Sequence, residues 1–312
     1  MSTEPGVLAD ASKRSAVSLG PAPGRGPMSP LWPVLSGVLA AASFGSMDAC
    51  IKFMAPRYDA VQLAFFRFAA GSVFAVALWL WQRPALPRGA GWRMHGLRSI
   101  LLLICLVSYF HALTLLPLAQ AVVIAYMAPI FTSLLAMLVL RERPGPAIGL
   151  SLGLGLAGIA VSLWPELAAR DRADSAARLE GIAAAALSAL TFAGVLVLAR
   201  LQAQRDALFT IVLVQNLLPL ALLTVPAALT WQPLDLADLM PIFAAGALAT
   251  VGLLCLTWTF TYMEASRAAP LEYTGFLWAA LLGWWLFGEV PSSTTAVTAL
   301  LIVGGCLLLL RR

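Results

Sequence analysis

Charge is scarce in this chain. Only 11% of its 312 residues are Asp, Glu, Lys or Arg, while 61% are hydrophobic; soluble domains carry about 25% charge and about 45–50% apolar residues. A single aqueous core has no room for that much apolar surface. With a mean hydropathy of +0.87, the solvent for most of the chain is a bilayer. Histidine is nearly missing too: His95 and His111 are the only two, which excludes a haem or a histidine-built metal centre. The four cysteines, Cys50, Cys105, Cys255 and Cys306, stand singly in apolar runs without a CxxC spacing. They read as small buried hydrophobes, so no metal site and no redox compartment follow from them.

Motifs are equally sparse. There is no GxxxxGK[ST], so this chain drives nothing with ATP, and no HExxH or GxSxG. No cofactor is called for. An intramembrane enzyme is the second class to weigh. It needs His, Asp or Cys gathered at one depth, and only Asp48, His111 and Glu272 offer themselves. Counting along the spans puts the first two in the outer half of the membrane and Glu272 in the inner half. The net charge of +5 and pI of about 9.3 suggest nucleic acid in a soluble protein. Here the cations flank apolar stretches, which is a topology signal, and no nucleic-acid partner is expected.

What the chain does have is an internal repeat. At an offset of 147 residues Tyr126 meets Tyr273, Ala121 meets Ala268, Glu142 meets Glu289, Pro144 meets Pro291 and Gly158 meets Gly305. A helical span takes about 20 apolar residues. The apolar stretches fall at 31–54, 60–82, 95–116, 118–140, 146–164, 179–201, 207–229, 240–263, 268–288 and 293–310. The expected fold is therefore all-α and integral to the membrane, with ten spans as two five-helix repeats. An odd number of spans per copy inverts the second copy relative to the first, an arrangement many secondary transporters build around a midplane site. The expected organisation is a disordered cytoplasmic tail at 1–30, a first repeat at 31–164, a charged linker at 165–178 and a second repeat at 179–312. The tail carries no apolar segment that would make it a signal peptide.

Orientation follows from the cations. Of the 20 Lys and Arg, Lys52 and Arg67 fall within spans; placing the tail inside leaves only Arg57, Arg170, Arg172 and Arg178 outside and 14 on the cytoplasmic face. Both termini are then cytoplasmic.

Ionisable groups at depth are costly and mark pathways or paired structural sites. Asp48 lies in the first span with Lys52 four residues on, sharing a helix face; Arg67 lies at similar depth in the second. Asp48 and Arg67 either form a neutralised structural pair or meet substrate or a proton. Glu272 in the ninth span has Ala125 as its repeat partner, so only one copy carries the acid. It is either an amine- or proton-binding site or an interfacial acid paired with Arg267. His111, near Tyr109, is either a hydrogen-bonded packing residue or a proton relay. Coupling candidates are thus Glu272, Asp48 and His111. Tyr126 and Tyr273 occupy matching depths beside the pseudo-two-fold axis, a place suited to a planar or amphipathic ligand, and Trp258, Tyr262 and Trp278 join them. The remaining tryptophans sit near span ends, as an aromatic belt does. Gln120, Gln215 and Asn216 either line a polar cavity or bond between helices. Pro129, read as lying inside the fourth span, permits a kink. The glycines of the fifth span (Gly149, Gly153, Gly155, Gly158) and tenth span (Gly304, Gly305) allow close helix packing, either within the bundle or across a homodimer.

The doubled five-span pattern resembles the EamA-type branch of the drug/metabolite transporter superfamily over residues 31–312. The resemblance is carried by Ser43-Phe44-Gly45-Ser46-Met47-Asp48 through Lys52, Phe65-Phe66-Arg67-Phe68, Leu116-Pro117-Leu118-Ala119-Gln120-Ala121, Pro129 and Arg141-Glu142-Arg143. In the second repeat it rests on Pro270-Leu271-Glu272-Tyr273-Thr274 through Gly283 and on Phe287-Gly288-Glu289. Met47-Asp48 and Glu272-Tyr273-Thr274 are similar to a branch that includes S-adenosylmethionine and riboflavin carriers. The resemblance implies a small-molecule substrate, a central cavity between spans 1–4 and 6–9, and alternating access in a bacterial inner membrane. The first expectation is export of amino acids or related metabolites; the alternative is uptake or exchange of a cofactor-like molecule.

Overall fold

Backbone polar groups in lipid must find partners within the protein, so apolar runs become helices. A computed structural model describes residues 29, 31–54, 56–87, 89–115, 124–142, 145–168, 175–288 and 293–308. Most of the expected tail, Pro117, Gln120, Ala121, Arg143, Pro144, residues 169–174 of the linker, Glu289 and Pro291 lie outside the described residues. The helices are α1 (Leu31–Met54), α2 (Ala60–Gln82), α3 (Ala90–Leu115), α4 (Ala128–Leu135), α5 (Pro146–Ala168), α6 (Ser175–Ala203), α7 (Leu208–Leu229), α8 (Leu239–Tyr262), α9 (Thr274–Phe287) and α10 (Ser293–Leu308). Among the described residues, five stretches are long and apolar enough to cross a membrane by themselves: Leu31–Ile51, Ala60–Gln82, Leu179–Ala203, Leu208–Leu229 and Leu236–Tyr262.

Two helices depart from the regular spans expected of them. Tyr126 and Met127 form a turn, and α4 starts only at Ala128, with Pro129 in its first turn rather than at a mid-span kink. Proline is at home there, because its missing N–H is one that a helix start leaves unbonded anyway. The helix then loosens into a π-turn over Ala136–Leu140. In the second half a single helical turn (Ala265–Ala268) leads into a 3₁₀ stretch (Ala269–Tyr273) before α9 begins. The same two places also end alike: Arg141 and its counterpart Gly288 both close their helices in the left-handed conformation, at φ 56° and 70°. Gly288 does so without steric penalty, whereas Arg141 pays about 1–2 kcal/mol for its Cβ.

The main packing partners are α1 with α8, α3 with α6, α1 with α9, α4 with α6, α2 with α8, α3 with α7, α2 with α7, and α5 with α10. Exchanging each helix for the one five places along maps these eight pairs onto one another, whereas α6 with α8, which pack as closely as α3 with α7, and α7 with α8 have no equally extensive counterpart among the described residues. Contacts at the α5–α10 crossing repeat in the same way. A Cβ on Gly158 would meet Thr298 O at 3.2 Å and Leu301 Cβ at 3.3 Å, and one on Gly305 would meet Ser151 O at 3.1 Å and Leu154 Cβ at 3.5 Å. Thr298 and Leu301 stand 147 residues after Ser151 and Leu154. Backbones come close where α8 crosses α2: a Cβ on Gly246 would collide with Ala70 Cβ and would lie 2.6 Å from Gly71 N.

Candidate functional site

The last part of α1 and the first part of α2 face one another across a cavity of ≈ 290 Å³, lined also by α3, α6, α7 and α8. Its polar lining is Asp48, Arg67, Arg98, Gln215 and Asn216; Phe44, Met47, Phe68, Phe192 and Leu256 supply much of the apolar wall. Asp48 is exposed to this space. Arg67 Nε donates to Met47 Sδ at 2.9 Å, and its guanidinium carbon stands 4.5 Å from the Phe68 ring centroid. The charges of Asp48 and Arg67 interact, yet the two do not close to salt-bridge distance; the four ion pairs among the described residues are Arg57–Asp238, His95–Asp206, His111–Glu180 and Arg200–Glu142. The paired geometry anticipated for the first two helices is thus an open one, because Arg67 is held by Met47 and Phe68 and the cavity lies between the charges.

Arg98 is a member of this lining that the sequence did not single out. Its position near a span end, among other cations, made it look like a membrane-surface residue. It is 3% exposed, and its Nη1 donates to Gln202 Oε1 at 2.7 Å. One turn earlier His95 is fully buried, 3.0 Å from Asp206 Oδ2 and 3.4 Å from Gln215 Nε2. A usable signal was present: His95 and Arg98 are three apart on one helix face, and Gln202 and Asp206 are four apart at the other side of the pair. Arg200, likewise counted among the surface cations, is buried and donates to Phe260 O.

Tyr126 and Tyr273 meet. Their ring centroids are 6.0 Å apart at 38°. Tyr273 is 1% exposed, its hydroxyl has no hydrogen-bond partner among the described residues, and its ring lies against Gly155 of α5, where a Cβ would collide with it. Glu272, half-buried, and Asp48 both lie within electrostatic reach of Tyr126, and Tyr109 lies within reach of Asp48. Counting at 1.5 Å per residue set Asp48 and Glu272 in opposite halves of the membrane. The 3₁₀ stretch rises about 2.0 Å per residue and carries Glu272 further from the chain's entry point than an α-helix does.

Other expected members are elsewhere. His111 Nε2 lies 2.9 Å from Glu180 Oε1, with side-chain exposures of 49% and 63%. Trp258 and Tyr262 stack on each other, centroids 4.8 Å apart, and neither lines the cavity. Trp278 lines a separate apolar groove of ≈ 400 Å³ between α1, α9 and α10, together with Val38, Leu281 and Val303. The side chain of Lys52 lies outside the described set.

At the end of the bundle where α1–α2 and α7–α8 turn, Asp238 is buried, accepts from Tyr58 Oη at 2.8 Å and pairs with Arg57 at 2.5 Å; Gln62 Nε2 donates to Gln232 O at 2.7 Å. At the opposite end Thr210 Oγ1 donates to Ala85 O at 2.9 Å, and Ala85 is the residue 147 before Gln232. At that end too, Glu142 accepts from Ala265 N and Ser266 N at 3.0 and 2.9 Å, tying the end of the π-turn to the α8–α9 connection.

A cavity with a few converging polar groups inside an apolar helical bundle is the usual form of a small-molecule site, and comparison with known proteins gives the chain's family. The chain is 30% identical over 282 residues to the pseudopaline exporter CntI of Pseudomonas aeruginosa, covering 89% of this chain and 95% of that protein. It is 23% identical to the S-adenosylmethionine uptake transporter of Rickettsia prowazekii, covering 89% and 91%. A solved crystal structure shares the fold at a TM-score of 0.73 and 24% identity, covering 88% of this chain and 95% of the other. The EamA-like transporter family matches twice, at residues 31–164 and 179–311. This is a multi-pass membrane protein that transports a small molecule and is not an enzyme; the chain belongs to the EamA-like transporter family.

Proposed function

We propose that the chain is a ten-span secondary transporter of the bacterial inner membrane that exports amino acids or related metabolites by alternating access. The observation that carries this reading is the cavity itself, where the Asp48 carboxylate and the Arg67 guanidinium face one space without closing on each other. An α-amino acid brings an ammonium and a carboxylate, the two charges those side chains bind. Support for inverted repeats at 31–164 and 179–312, joined by 165–178 and preceded by the tail at 1–30, comes from the exchange pattern of the helix pairs and from the reciprocal Gly158 and Gly305 contacts. Interrupted helices beside the tyrosine pair fit a transport site, since broken spans at the repeat interface are where such carriers bind their cargo. The distribution of cations supports cytoplasmic termini. Glu272 is the proposed coupling or amine-binding acid, and no cofactor takes part. A homodimer through α5 or α10 has Gly149, Gly153 and Gly304 left for it, since Gly155, Gly158 and Gly305 are used inside the chain.

The name of the Pseudomonas relative, an exporter, supports the outward direction. The Rickettsia relatives favour the second reading, uptake of a cofactor-like molecule of S-adenosylmethionine or riboflavin type. Flux into proteoliposomes holding the purified protein tests both. Labelled amino acids, riboflavin and S-adenosylmethionine are screened with and without a pH gradient. Saturable amino-acid flux that is lost in Glu272→Gln is the expected result; saturable flux of S-adenosylmethionine or riboflavin alone transfers the assignment to the second reading.

A further inference from the structure

The charges lining the cavity do not balance. Asp48 contributes one negative charge; Arg67 and Arg98 contribute two positive ones, and a guanidinium stays protonated in proteins. Glu272 is not part of this lining. Among the described residues no carboxylate lies within salt-bridge distance of Arg98, and Asp206, on the facing connection, is taken by His95. Arg98 is almost wholly buried, spends Nη1 on the neutral Gln202, and leaves Nε without a partner. A buried cation without a counter-charge is an expensive thing to retain. Arg67 has Asp48 as its electrostatic neighbour, and Arg98 has no such acid among the described residues. The cavity therefore offers two separate stations, a mixed-charge one at Asp48–Arg67 and a purely cationic one at Arg98.

We infer that this cavity takes an amino acid bearing a second carboxylate, with the α-ammonium and α-carboxylate at Asp48 and Arg67 and the distal carboxylate at Arg98. This rests on the carrier reading above and narrows its substrate class. Arg98 lines the cavity, and the distal carboxylate supplies there the counter-charge that the neutral Gln202 does not. A ligand with a neutral distal amide leaves that charge uncompensated, and a carboxylate-to-guanidinium contact is among the stronger hydrogen bonds available.

L-Glutamate and L-glutamine differ only in the distal group, so they isolate the claim, and L-2-aminoadipate tests a longer reach. Binding is measured on the purified full chain in detergent by calorimetry and by ligand-induced thermal stabilisation, and flux is measured separately in proteoliposomes. Wild type is expected to bind at least one of the two dicarboxylic probes about 10-fold or more tighter than glutamine, the worth of one good charged contact. Arg98→Gln is expected to erase that preference while keeping glutamine binding, and Arg98→Lys, which keeps the charge and not the fork, to keep part of it. If Arg98→Gln does not fold, the wild-type preference and the Arg98→Lys variant still decide. Equal binding of glutamate, aminoadipate and glutamine overturns the inference, as does an equal loss of all three in a folded Arg98→Gln, or binding of none. Preference in binding without flux of any probe upholds the site and sinks the carrier reading. Flux of glutamine without preference does the reverse.

Discussion

Along the cavity the first half of the chain is charged and the second half is not. Asp48, Arg67 and Arg98 have Val195, Val214 and Ala245 as their counterparts 147 residues on. Where α5 crosses α10 the two halves instead match: Gly158 packs on Thr298 and Leu301 as Gly305 packs on Ser151 and Leu154. The difference separates two tasks. Small residues in both copies let backbones come close in lipid, where packing rather than water exclusion drives association, so the scaffold is symmetric. A substrate is not symmetric, and its charges need partners on one side only. Glu272, opposite Ala125, is an acid that only the second half carries, and it stands outside this lining.

The sharpest way to break the comparison is to attack the scaffold. Gly246→Leu should give the largest effect, with no monodisperse protein on size-exclusion chromatography, because the added side chain runs into the backbone of α2 at Ala70 and Gly71; overpacking costs about 1–3 kcal/mol even where atoms can yield. A normally folded Gly246→Leu would mean that the α2–α8 crossing is looser than described. Changing the charged face should instead spare the fold. Asp48→Asn is expected to cut transport on the order of 100-fold, the scale of removing one partner from a desolvated charge pair, with little change in melting temperature. The double change Asp48→Asn with Arg67→Gln should stay folded and inactive; recovered transport would return both residues to a structural role.

Glu272→Gln should abolish flux at every pH while leaving substrate binding measurable. A pH profile identical to wild type would take the coupling role away from this acid. Tyr273→Phe removes a buried hydroxyl that has no partner among the described residues. Its melting temperature should hold or rise slightly, and any fall in substrate affinity would place the hydroxyl on the ligand. The smallest effect is expected from His111→Gln. Its partner Glu180 is exposed, exposed pairs are worth about 0.2–1 kcal/mol, and transport at several pH values should match wild type. A lost pH response there would restore His111 to the coupling machinery.

How much was legible depended on the kind of signal. Asp48, Arg67 and Glu272 were visible as candidates because an ion in an apolar run is costly at that depth and marks either a pathway or a structural pair. The meeting of Tyr126 and Tyr273 could be anticipated from the repeat register. Arg98, Arg200 and His95 were hidden because a cation near a span end reads the same whether it reaches out to headgroups or folds inward. That His111, Trp258, Tyr262 and Trp278 stand away from the Asp48–Arg67 cavity was hidden for another reason. Helices that are apolar all round show no polar stripe, so their sequence does not say which way they are turned.

The sequence by itself determined the class of molecule: apolar runs of spanning length, a repeat at 147 residues and cations on one set of loops. These are local or repeated features that bilayer thickness and backbone hydrogen bonding convert directly into helices. Only the tertiary structure decided which polar residues share a space. Rotation of each helix about its own axis is set by neighbours distant in sequence, and the breaks at Tyr126–Met127 and Ala269–Tyr273 change the rise that any count along the chain assumes.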